Sequence, residues 1–189
     1  MLLVVALIGV IAAATVPVAE LMFIKAKEGE LQNNLATIRQ AISLWKRDCR
    51  NAVVRQYGYN NLYLIPDSNL CPPSLLALMR PDTALPGGKF DVLDPDGSTV
   101  RANFYPKAYL ERIPIDPFIG ASTWYIHYAS GTNIGIFEGG TIAPATAAQP
   151  LTNHIGVFDV SCVPNNTESA SNRRRGFIQG IDGTYYTDW

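Results

Sequence analysis

The chain has 189 residues, 48% of them hydrophobic and only 16% charged, with a formal net charge of −1 at pH 7. That length holds one domain of ordinary size beyond a long helix, and a near-neutral charge offers no pull on a polyanion, so nucleic acid is not an expected partner. Three cysteines (Cys49, Cys71, Cys162) without a C-x-x-C, and two histidines (His127, His154) far apart in sequence, argue against a zinc site.

Residues 1–19 carry no charge. As a helix rising about 1.5 Å per residue they span roughly 28 Å, close to the hydrocarbon thickness of a bilayer. No positive stretch precedes the apolar run. The helical pattern continues through Glu20, Lys25, Lys27 and Glu28 in place of an A-x-A cleavage site, so the segment reads as a retained helix rather than a removed signal. Beyond it, Leu31, Leu35, Ile38, Ile42 and Trp45 recur at alternating steps of four and three, which is one stripe of a helix. One helix from residue 1 to about residue 55 is expected. Residues 1–27 form its hydrophobic membrane or filament-core half, and residues 28–189 the globular domain. Gly9 and Pro17 are its weak points. Pro17 lacks a backbone donor and clashes with the preceding turn, so a kink or local melting is expected there. Such a break is costly in lipid unless neighbouring chains shelter the freed carbonyls, which favours a helix that packs on copies of itself.

Residues 51–73 read as a polar, aromatic excursion. Ser74 is placed as N-cap of a helical turn over 74–79. Turns are expected at Pro86-Gly87-Gly88 and at Asp96-Gly97, and strands over 124–128, 134–137 and 155–160. Residues 141–153 are a Pro/Ala/Thr loop, and 165–175 a polar loop in which Arg173-Arg174-Arg175 is solvated. A last short strand is expected at 177–179. Asp94-Pro95-Asp96-Gly97-Ser98 spaces its oxygens as a calcium loop begins, but the twelfth position is Tyr105 and no helices flank it, so a turn is expected. Asn165-Asn166-Thr167 fits the N-glycosylation tripeptide.

No catalytic constellation emerges. There is no G-x-S-x-G and no Gly-rich phosphate loop, and neither histidine has an acidic and nucleophilic context, so the chain is not read as an enzyme. The aromatic residues Tyr57, Tyr59, Tyr63, Trp124, Tyr185, Tyr186 and Trp189 read first as a small core with few aliphatics, and second as a sugar or protein contact surface.

Three segments resemble the type IV pilin and pseudopilin superfamily, most closely the major pseudopilin of type II secretion. Residues 2–17, LLVVALIGVIAAATVP, resemble the core of its prepilin-type helix. Residues 110–118, LERIPIDPF, with WYIHY at 124–128, resemble its P-x-D-P-[FW] segment and the strand that follows. GVFDV at 156–160 and GIDGTYYTDW at 180–189 resemble its last strand and tail. The family's F-T-L-I-E hallmark is not in the chain; Met1 stands one place after where its Glu would fall, so the family's prepilin cleavage site and N-terminal methylation cannot be read from these residues.

The resemblance implies an α+β, pilin-like lollipop: a long N-terminal α-helix packed on a small antiparallel β-sheet through Leu31, Leu35, Ile38, Ile42 and Trp45. It implies a structural subunit stored in the bacterial inner membrane that then polymerises into a periplasmic or extracellular helical filament. Leu2, Leu3, Val4, Val5, Leu7, Ile8, Gly9, Val10, Ile11 and Pro17 would line the filament core, melted between Gly9 and Pro17 once assembled, as resembling pilins are. Implied partners are copies of itself, an inner-membrane assembly platform, minor pilin-like subunits and, before assembly, the lipid bilayer. The alternatives are the major subunit of an extracellular type IV pilus-like fibre and, from another class, a membrane-anchored binding protein. Resembling pseudopilins bind calcium in the C-terminal loop. Asp182 and Asp188 stand there in a shorter and less acidic loop, with a plain Asp-Gly turn as the other reading. The family runs directly from its helix into the domain where this chain inserts the excursion, and Cys49 and Cys71 mark the insertion's ends. A Cys49–Cys71 disulfide with Cys162 free is therefore favoured over other pairings, three buried thiols being the alternative.

Overall fold

The structure, a computed structural model, describes residues 2–94, 98–128, 134–137, 156–162, 180, 183–184 and 189. For residues 2, 3, 5–17 and 134–137 it describes the backbone alone. Helix α1, Leu2–Tyr57, has 56 residues and so a length of about 84 Å. It runs as one element through Gly9 and Pro17. In the single chain the helix is therefore not melted at Pro17. Glu28 is the first buried residue along it among the described side chains; Leu31, Leu35, Ile38, Ile42, Trp45, Cys49 and Val53 follow at steps of three and four, with Ala41 beside Ile42. The helix ends at Gly58, whose φ of 94° is open to glycine without strain and whose N–H returns to the Val54 carbonyl at 3.2 Å.

Two 3-10 turns, Tyr59–Leu64 and Asp67–Leu70, carry the chain to α2, Leu75–Met79. Ser74 caps α2 by accepting from the Ala77 N–H at 3.2 Å. A four-residue helix α3, Pro81–Ala84, leads to strands β1, Phe90–Leu93, and β2, Val100–Phe104, which pair antiparallel. This hairpin was not expected. Its apolar alternation is short, with Phe90 and Val92 facing Phe104 and Ala102, and charged or amide residues stand between them. A second antiparallel sheet has the order β4-β3-β5, from β3, Trp124–Tyr128, β4, Ile134–Phe137, and β5, Val157–Ser161. The class is α+β: a long N-terminal helix with small antiparallel sheets. The strand expected at 177–179 lies outside the described residues.

The core gathers around Trp45, whose ring meets Phe90, Phe104 and Tyr109 at centroid distances of 5.6, 5.1 and 5.9 Å. Trp124 is equally buried and donates to the Pro114 carbonyl at 3.0 Å. Three outer strand edges are closed by side chains. The Gln56 amide donates to the Asn103 carbonyl (2.7 Å) and accepts from its N–H (2.8 Å) on β2. Asn69 donates to the Leu93 carbonyl of β1 at 2.9 Å and to that of Asp94 at 3.1 Å. Arg39 donates to the Val160 carbonyl of β5 at 2.9 Å while its Nε holds Asp159 at 2.7 Å. Asp94 accepts from the N–H groups of Ser98 (3.2 Å) and Thr99 (3.4 Å); the turn expected at Asp96-Gly97 lies outside the described residues.

Candidate assembly surface on the projecting helix

Residues 2–27 of α1 precede the first buried position, a projection of about 39 Å. Its described side chains are exposed and large: Val4 58%, Val18 53%, Leu21 54%, Met22 69% and Phe23 63%. Leu21, Met22 and Phe23 are consecutive, so at 3.6 residues per turn they point in three different directions. Exposed large apolar side chains over more than half of the circumference, beside Glu20 and Lys25, mark a surface that something else covers. Among the described residues no helix is long and apolar enough to cross a membrane. The uncharged residues 1–19 fall mostly outside that description.

The base of the projection is braced against the domain. The Lys27 ammonium lies 4.9 Å from the Phe23 ring centre and 5.8 Å from that of Phe118. Phe118 is held by Asp116, fully buried, whose carboxylate accepts from the Phe118 N–H at 2.8 Å and the Ile119 N–H at 3.3 Å. The I-D-P-F sequence is thus a self-capped turn, in which a carboxylate two residues ahead satisfies the backbone. Asn34 donates to the Ile115 carbonyl at 2.9 Å. Between the helix and this segment runs a groove of about 360 Å³, with Glu30, Asn34 and Thr37 on one wall and Leu110, Glu111 and Ile115 on the other.

Higher on the helix, Asp48 accepts from the Tyr109 hydroxyl at 2.9 Å, with Lys107 Nζ at 3.5 Å. Burial pushes the Asp48 carboxyl up, but the hydrogen bonds from Tyr109 and Arg47 and the charge of Lys107 outweigh it and hold it below its ordinary value. This pair fixes the start of the groove wall. His127 and Ser161 meet across β3 and β5 at 2.8 Å, a cross-strand contact that no local motif signals. Leu31, Leu35, Ile38, Ile42 and Trp45 are all buried in the one core. Leu2, Leu3, Val5, Leu7, Ile8, Gly9, Val10, Ile11 and Pro17 lie on α1, and their side chains are outside the description. So are Asp182, Asp188, His154, Asn165 and Arg173 to Arg175 in every respect. Among the described residues there is no group of three or more side chains that could hold a metal ion.

In the structure the cysteines stand as the alternative reading has them, three buried thiols, with Cys49 and Cys71 near enough to interact electrostatically. The Cys71 thiol donates to the Asp67 carbonyl at 3.3 Å, and Cys49 belongs to the apolar core, so each is accommodated as a thiol. Burial first, and the neighbouring Cys71 second, push the Cys49 thiol up to about 12. Only the thiolate is alkylated, so Cys49 is expected to resist iodoacetamide in the native chain at pH 8 and to react once urea unfolds it. Mass spectrometry of the two digests checks this; native labelling of Cys49 as fast as in urea would refute its burial.

Comparison with protein-family models, with curated proteins and with solved structures finds no match.

Proposed function

We propose that this chain is the repeating subunit of a pilin-like helical filament, of the kind built by type II secretion major pseudopilins. One observation carries the reading: a 56-residue helix continues N-terminally past its first described buried residue, Glu28, with the large apolar side chains of Val4, Val18, Leu21, Met22 and Phe23 exposed. The sequence resemblance at 2–17, 110–118 and 180–189 supports it. Before assembly the bilayer surrounds the projecting half. In the filament, the same half of neighbouring copies does so. Lipid tails and apolar helices are nearly equivalent surroundings, so the exchange costs little hydrophobic free energy and packing decides the outcome. The domain's part is mechanical. Lys27, Phe118 and the Asp116 turn hold the helix at a fixed exit angle, so each copy presents the same geometry to the next.

The test is electron microscopy of the purified full chain as detergent is withdrawn. Filaments of uniform width are expected. Discrete particles or amorphous precipitate over the whole range of protein concentration would refute the reading.

A further inference from the structure

Three faces of α1 are distinct. The first, from Leu31 to Val53, is buried in the domain. The second follows Ala19, Phe23, Ala26, Glu30, Asn34 and Thr37 at steps of four and three, a single stripe. Its upper end is the exposed ring of Phe23, and its lower end is the helix wall of the groove beside Ile115. Projection and groove therefore form one continuous track. The third face carries Val18, Leu21, Met22 and Lys25, all exposed, and lies roughly 130° around the helix from the second.

The charges on these two free faces are complementary. Among the described residues, Lys25, Glu30 and Glu111 have no ion-pair partner. Lys27, the other lysine on the projecting part, is taken up between Phe23 and Phe118. The groove holds two carboxylates, Glu30 and Glu111, against one guanidinium, Arg112, so it is acidic. We infer that the Val18–Leu21–Met22–Lys25 face of one copy seats in the track of a second, parallel copy, with Lys25 set between Glu30 and Glu111 of that copy. The inference rests on the filament reading and gives it a register. Lys25 level with Glu30 of the next copy is an axial offset of five residues, about 8 Å. Because the two surfaces differ, the contact does not close into a two-fold dimer. Each copy has one face to give and one track to receive, so the contact repeats as an open line. The apolar residues supply the area and the charges set the register.

A charge swap in the full chain tests it, read by sedimentation as detergent is withdrawn. Lys25→Glu places like charges together and is expected to raise the concentration needed for half-maximal pelleting about tenfold or more. Glu30→Lys with Glu111→Lys is expected to do the same, and all three together to restore assembly to within about threefold of the original chain. Every site is exposed, and the thermal midpoint of each unassembled variant is measured beside it to separate lost assembly from lost folding. A smaller reversal, Lys25→Glu with Glu111→Lys, repeats the test should the triple variant melt early. Lys25→Glu that assembles like the original chain, or a swap that fails to restore assembly, overturns this contact and leaves the filament reading standing. An original chain that never forms filaments overturns both.

Discussion

A chain that begins at Lys27 is expected to fold and to stay monomeric at concentrations where the full chain forms filaments. The removed residues include no buried side chain among those described, and the core starts with Glu28 and Leu31. The domain loses only the stacking of Phe23 on Lys27. Assembly loses Val18, Leu21, Met22 and Phe23, each with roughly 1–2 kcal/mol of apolar burial still to gain, and the uncharged residues 1–17 besides. Among the described domain residues the exposed large apolar side chains are fewer: Tyr59, Tyr63 and Leu64 form one small cluster, and Val100, Tyr105, Ile115 and Phe158 stand elsewhere. Sedimentation velocity of the shortened chain is the measurement. Filaments of the full chain's width formed without the helix would mean that domain contacts drive assembly.

Trp45→Ala is expected to lower stability by about 3–5 kcal/mol, the cost of emptying the site of a large buried aromatic. Trp45 is 0% exposed and is the ring on which helix, hairpin and the 107–110 segment converge. In a domain of this size that lowers the thermal midpoint by roughly 6–20 °C. Trp45→Phe is expected to cost far less, under about 2 kcal/mol. Phenylalanine keeps an edge toward Phe90 and Phe104, and it removes the indole N–H, which is buried without a hydrogen-bond partner among the described residues. Thermal unfolding followed by circular dichroism reads both. Equal losses for the two variants would show that a phenyl ring cannot take up the space the indole fills, and would overturn the smaller cost expected for Trp45→Phe.

The long helix was legible because one physical cause wrote both pattern and structure. A stripe from Leu31 to Trp45 can be buried only on a period near 3.6, and the same stripe lies against the sheets. β3 was legible from the aromatic and β-branched run WYIHY, and α2 from Ser74 ahead of an apolar turn. The β1–β2 hairpin was not, because only Phe90, Val92, Ala102 and Phe104 mark it, and Asp94 to Gly97 drew attention to the turn alone. Nor were the contacts that shape the groove. Asn34 with Ile115 and Asp48 with Tyr109 join residues 81 and 61 positions apart, and no local pattern records such a pairing. The state of the cysteines was not legible for a related reason. Cysteines marking the ends of an insertion fix where a bridge would be useful, but not whether burial already satisfies each thiol.

The amide and guanidinium groups on the strand edges have a consequence for quality control. Were this chain a stored filament subunit, as proposed, two polymers would compete for it: one grown through helices, the other through unpaired strand backbone. The second is the more stable and the harder to dismantle. Gln56, Asn69 and Arg39 occupy the backbone groups from which it would nucleate on β2, β1 and β5. On the proposed filament reading, these three side chains would favour growth through the helix over growth through strand backbone.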